Sequence, residues 1–276
     1  MSQSCEDRKY APVGVFDSGV GGLTVAREIM RQLPMERMVY FGDTARVPYG
    51  SKSRETIIRY SRQIIHFLQG KGVKAIVVAC NTASAFALEE LRPELDIPII
   101  GVVKPGAKVA AETTKNGRIG VIGTEGTVGS QIYTKTIREH KPDAEVIGKA
   151  CPLFVPLVEE GWLKDPITVE VAQRYLASFQ ASGIDTLIMG CTHYPLLRST
   201  LRGILGEDVN LVNPAYETAQ GLKALLSEYC LENDGGKREL SQYQFYVSDA
   251  AEKFKNFANS ILPCEIEEAQ LIHIEE

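Results

Sequence analysis

The chain has 276 residues, 44% hydrophobic and 24% charged, close to the globular average; this excludes a disordered majority and predicts one large or two medium-sized domains with ample buried surface. With 30 Lys and Arg against 35 Asp and Glu, the formal charge is −5 and no basic cluster stands out to track phosphates, so nucleic acid is excluded as the main partner. The polar stretch 1–11 carries no export signal and the longest apolar run, 75–80, is far short of a bilayer span; the expectation is a cytoplasmic protein with no membrane partner.

Short β-branched runs at 13–16, 38–41, 75–79, 98–102, 118–122, 145–148, 186–189, 210–212 and 243–247 each read as a buried strand. Between them, apolar spacing near three and four predicts helices, among them 23–33, 54–68, 168–179 and 217–229. Such alternation predicts an α/β fold of parallel sheets with helices on both faces, in which ligands collect at the carboxyl ends of the strands. Lys104-Pro105-Gly106 and Asn213-Pro214, each following a strand, mark the expected crossings between two lobes. An internal echo supports a two-lobed reading: 76–82 and 187–193 both run from an apolar strand through a small residue and a cysteine to two polar residues.

Six cysteines, at 5, 80, 151, 191, 230 and 264, never come closer than the 34 positions between Cys230 and Cys264. This removes the tight Cys pairs of zinc ribbons and thioredoxin-like redox sites, and no metal site is expected. Cys80 and Cys191 each follow a strand, where the amides of a succeeding helix would favour a thiolate. An isolated cysteine is usually a small buried hydrophobe. Two in matching contexts, followed by Asn81-Thr82 and Thr192-His193, point to chemistry instead.

The first strand runs into Asp17-Ser18-Gly19-Val20-Gly21-Gly22, a turn whose amides suit an anion. The dinucleotide fingerprint is half met, because Thr24 stands where its third glycine belongs although Asp43 follows the second strand; a carboxylate is the better expectation. Asp17 can cap the helix or act as a base beside a cysteine. The loop holding Pro48-Tyr49-Gly50-Ser51 offers amides and hydroxyls for a carboxylate. His193 is placed to tune Cys191 or to serve structurally. Glu159 and Glu160 read as a solvated helix end or a partly buried carboxylate.

Taken together, 14–24, Gly42-Asp43-Thr44 with Pro48-Tyr49-Gly50, 79–83 and 190–195 closely resemble the glutamate racemases, the cofactor-independent enzymes of the aspartate/glutamate racemase superfamily. The resemblance spans residues 13 to about 216. It implies two pseudo-symmetric lobes, 1–104 with 215–276 and 105–214, with the small-molecule substrate glutamate between them, no cofactor, and a homodimer. It further implies Cys80 and Cys191 as the acid/base pair, Asp17 assisting Cys80, and Glu159 and His193 assisting Cys191. Asp17, Ser18, Pro48, Tyr49, Gly50, Ser51, Asn81, Thr82, Thr192 and His193 then hold the substrate, and the product D-glutamate feeds peptidoglycan. The choice of Glu159 over Glu160 rests on its spacing of 32 to Cys191. Competing readings are an aspartate racemase of the same superfamily, a thiol redox or metal-binding protein built on Cys80, Cys191 and His193, and a pyridoxal enzyme.

Overall fold

The computed structural model describes residues 8–235 and 242–274; Cys5 and the first seven residues of the polar 1–11 stretch lie outside the described residues. All nine expected strands form, and they alternate with helices throughout. In chain order these are β1 (Val13–Asp17), α1 (Leu23–Gln32), β2 (Met38–Gly42), α2 (Arg54–Gly70), β3 (Ala75–Val78), α3 (Asn81–Phe86), β4 (Ile99–Gly101) and α4 (Val103–Thr113). There follow β5 (Arg118–Gly123), α5 (Glu125–Gly129), α6 (Ile132–His140), β6 (Glu145–Ala150), α7 (Phe154–Glu159), α8 (Pro166–Ser182) and β7 (Thr186–Gly190). The chain ends through α9 (Arg198–Leu205), β8 (Asn210–Val212), α10 (Pro214–Glu228), β9 (Tyr243–Val247), α11 (Ala251–Ile261) and β10 (Gln270–Leu271). Only β10 is not expected from the sequence; at two exposed residues it has no alternation to read.

The strands make two wholly parallel sheets, in the orders β10-β9-β2-β1-β3-β4 and β6-β5-β7-β8. Stripped of β9 and β10, the first sheet has the order of the second, with β1 to β4 answering β5 to β8. The echo at 76–82 and 187–193 therefore marks equivalent strands, β3 and β7. Each sheet is covered on both faces because successive residues point to opposite sides. Val13, Val15, Met38 and Tyr40 belong to one apolar cluster and Phe16, Val39 and Phe41 to another; Leu187 and Met189 are likewise separated from Ile188 in the second sheet.

One expectation is corrected. Strand β6 is not buried, since it lies at a sheet edge with only β5 beside it. Lys104-Pro105-Gly106, the expected crossing, falls in the first turn of α4, where a proline costs no helical hydrogen bond. The return crossing opens α10, with Asn213 as the side-chain cap and Pro214 in the first turn. The crossings pack on each other, a Cβ at Gly106 falling 3.1 Å from Pro214 Cγ.

The C-terminal segment, which carries no readable motif, extends the first sheet beside β2 and pins the loop that follows β2. Ser248 Oγ donates to Asp43 Oδ1 at 2.9 Å and accepts from the Ala45 amide at 2.9 Å. Asp43, fully buried, also pairs with Arg46 Nε at 2.8 Å and accepts from the Tyr49 hydroxyl. Asp43→Ala strands a largely buried guanidinium, so the expected cost is about 3 kcal/mol, read as a lower urea midpoint with an unchanged slope.

Candidate active site

Strand β3 delivers Ala79 and Cys80 to the carboxyl edge of the first sheet, and Cys80 caps α3 with its own sulfur, accepting from the Ala83 amide at 3.4 Å. Cys80 Sγ also lies 3.7 Å from Ser18 Oγ, whose hydroxyl lowers the thiol pKa. These contacts favour a thiolate, as expected, but they do not win. Burial, and then the carboxylate of Asp17, push the Cys80 thiol up to about 12. Asp17 closes β1, accepts from the Gly19 amide at 3.0 Å and is itself completely buried. Burial raises its pKa, with His193 and the amides of Gly22, Gly19 and Ser18 acting in the opposite sense. The amides of the glycine-rich turn hold the Asp17 carboxylate, while Ser18 and Gly19 of the same turn line the cavity described below.

Strand β7 delivers Cys191 in the same way, but a short 3-10 turn at Tyr194–Leu197, rather than an α-helix, comes after it. The support is a side chain instead. His193 Nδ1 lies 3.7 Å from Cys191 Sγ, and its Nε2 lies 3.1 Å from Glu159 Oε1 at the end of α7. Burial opposes the imidazolium, but hydrogen bonds to Cys191 and Glu159 outweigh it and hold the ring at about 10. Glu159 is lowered, first by the His193 hydrogen bond. Glu160, one residue on, is exposed at the helix end. His193 is therefore a cation between a thiol and a carboxylate at neutral pH.

Both cysteines line one cavity of about 320 Å³ between the lobes, small for a ligand site and suited to a compact molecule. Ser18, Pro48, Tyr49, Gly50, Ser51, Asn81 and Thr82 line it from the first lobe, and Glu159, Cys191, Thr192 and His193 from the second. Asp17 lies beneath this lining and is not part of it. The lobes meet closely around the cavity: Thr24 Oγ1 donates to the Thr192 carbonyl at 2.8 Å, and Thr82 Oγ1 lies 2.9 Å from Thr124 Oγ1. A Cβ at Gly21 would sit 2.3 Å from Thr192 Oγ1, and one at Gly50 would sit 2.7 Å from Thr124 Cβ. Among the described residues, no group of three His, Cys, Asp or Glu side chains is arranged to hold a metal ion, and no helix is long and apolar enough to cross a membrane.

Sequence reasoning missed Thr124, Glu125, Pro152, Val155 and Pro156, all of which line the cavity from the second lobe. A signal was available. Gly120-Val121-Ile122-Gly123-Thr124 echoes Gly14-Val15-Phe16-Asp17-Ser18, so Thr124 at the end of β5 answers Ser18 at the end of β1.

The model of the Asp/Glu/Hydantoin racemase family matches residues 14–221. The chain belongs to this family. It is an amino-acid racemase, an isomerase of a cofactor-independent family. It is 48% identical to a glutamate racemase of Geobacter metallireducens over 258 residues, covering 92% of this chain and 93% of the relative. Its structure is similar to that of glutamate racemase isoform RacE1 from Bacillus anthracis, with a TM-score of 0.90 and 39% identity, over 97% of this chain and 98% of the other. The Francisella tularensis glutamate racemase in complex with D-glutamate has a TM-score of 0.89 and 38% identity, over 97% and 99%. An aspartate racemase from Picrophilus torridus, at 18% identity and a TM-score of 0.56, shares the fold.

Because the folded His193 pKa of about 10 lies above its ordinary 6.5, its charge contributes stability that is complete below pH 6.5 and is lost as pH rises through about 10. The stability difference between the wild type and His193→Gln, measured by urea unfolding, should therefore shrink steadily from pH 6.5 to pH 10.

Proposed function

We propose that this racemase interconverts L- and D-glutamate by a two-cysteine α-proton transfer, acts in the cytoplasm as a homodimer, and supplies D-glutamate for peptidoglycan. The observation that carries the reading is that Cys80 and Cys191, one from each lobe, line the same small cavity. The near-identical layout of glutamate racemases, one of them crystallised with D-glutamate, supports glutamate over aspartate. The lobes are taken as 1–104 with 215–276 and 105–214.

Inversion through a planar carbanion needs a base on one face of the α-carbon and an acid on the other. In one direction Cys191 takes the α-proton as a thiolate, its negative charge stabilised by the imidazolium that His193 turns toward it, with Glu159 holding the ring charged. The C–H bond breaks, its electron pair stays on carbon, and Cys80, held protonated by burial, gives its proton to the opposite face. The two cysteines end with protonation states exchanged, ready for the reverse reaction. In that direction Cys80 is the base and Asp17 beneath it the assisting group. The substrate is held by Ser18, Pro48, Tyr49, Gly50, Ser51, Asn81, Thr82, Thr192 and His193, whose donors stabilise charge developing on the α-carboxylate.

The test is to incubate the purified protein with L-glutamate in heavy water without added cofactor, beside a parallel sample with L-aspartate. Loss of optical activity with deuterium at the α-carbon of glutamate is expected, and Cys80→Ser and Cys191→Ser should each lower kcat by roughly 10²–10⁴-fold. Turnover of aspartate but not glutamate would overturn the substrate assignment, and unchanged rates in both serine variants would overturn the two-thiol mechanism.

A further inference from the structure

Tyr133 does not line the cavity, yet it touches the chain neighbours of both cysteines. It lies in the first turn of α6, which opens after Gln131 at a left-handed φ of 56°. Its ring is 2% exposed and lies against Gly190, where an added Cβ would fall 3.1 Å from Tyr133 Cε2. Gly190 precedes Cys191. The Tyr133 hydroxyl reaches across to the first lobe and donates to Asn81 Oδ1 at 2.7 Å. Asn81 follows Cys80.

A buried phenol needs an acceptor, and here the Asn81 carbonyl supplies it. The amide of Asn81 has two unlike ends, an acceptor oxygen and an NH₂ carrying two donors. With the oxygen occupied by Tyr133, the NH₂ is the end left to the cavity that Asn81 lines. A reversed amide would set its NH₂ against the phenol and turn its oxygen toward an anionic substrate.

We infer that Tyr133 is a positioning residue for the racemisation: its hydroxyl fixes the Asn81 amide so that the NH₂ is offered to a substrate carboxylate, while its ring supports the strand end that carries Cys191. The inference rests on the glutamate reading. Thr24 makes a single side-chain bond across the lobes, to the Thr192 carbonyl, whereas Tyr133 meets the neighbours of both cysteines through its hydroxyl and its ring.

The test is Tyr133→Phe, which keeps the ring and removes only the hydroxyl. Loss of one hydrogen bond that orients a donor should raise KM for glutamate about tenfold in both directions while kcat changes less than about threefold. A double-mutant cycle with Asn81→Ala, read both as kcat/KM and as calorimetric affinity for D-glutamate, separates positioning from packing; in the Asn81→Ala background Tyr133→Phe should have less than about a twofold effect. Racemisation of glutamate by the wild type together with an unaltered KM in Tyr133→Phe would overturn the inference alone. So would an undiminished tenfold loss in the Asn81→Ala background. A wild type that binds and turns over no glutamate would overturn the substrate reading and the inference with it.

Discussion

The cavity exists because the carboxyl ends of two parallel sheets are brought into near contact, and that approach depends on positions where no side chain can stand. At Gly21 a Cβ would collide with Thr192 and His193, and at Gly50 with Thr124. Each of these contacts joins one lobe to the other. Around them the lobes are stitched by Thr24 to the Thr192 carbonyl, by Thr82 to Thr124, and by Tyr133 to Asn81. The glycine-rich turn after β1 is thus used for close approach and for holding the Asp17 carboxylate, and the resemblance to a phosphate-binding turn ends there.

Duplication of the sheet order places two cysteines in equivalent positions, but it does not make their surroundings equivalent. Cys80 has a helix amide, a hydroxyl and a buried carboxylate beneath it, and burial with that carboxylate keeps the proton on sulfur. Cys191 has a buried imidazole held charged by Glu159. The two sulfurs thus face unlike partners, a buried carboxylate at Cys80 and an imidazolium at Cys191.

Loops after equivalent strands do equivalent work with different residues. After β1 and β5 come Ser18 and Thr124; after β2 and β6 come the 48–51 segment and Pro152 with α7. The first lobe draws its loop tight through Asp43, Arg46 and Ser248, so the C-terminal segment, none of whose described residues lines the cavity, helps to set where Tyr49 stands.

Strands, helices and the two cysteine motifs were legible because β-branched runs, apolar spacing and short local patterns are properties of neighbours in the chain. The 48–51 loop and the two cysteines followed by polar pairs, Cys80 and Cys191, all line the cavity. Edge strands were not legible: β6 reads as buried and β10 does not read at all, because exposure depends on which strand lies alongside. Tertiary structure alone decided that Asp17 sits under the lining, that Glu159 and not Glu160 meets His193, and that Tyr133 meets Asn81. Those contacts join residues 34 and 52 positions apart, the first within the second lobe and the second between the lobes, and the burial that shifts Cys80 and His193 arises only once the chain has folded.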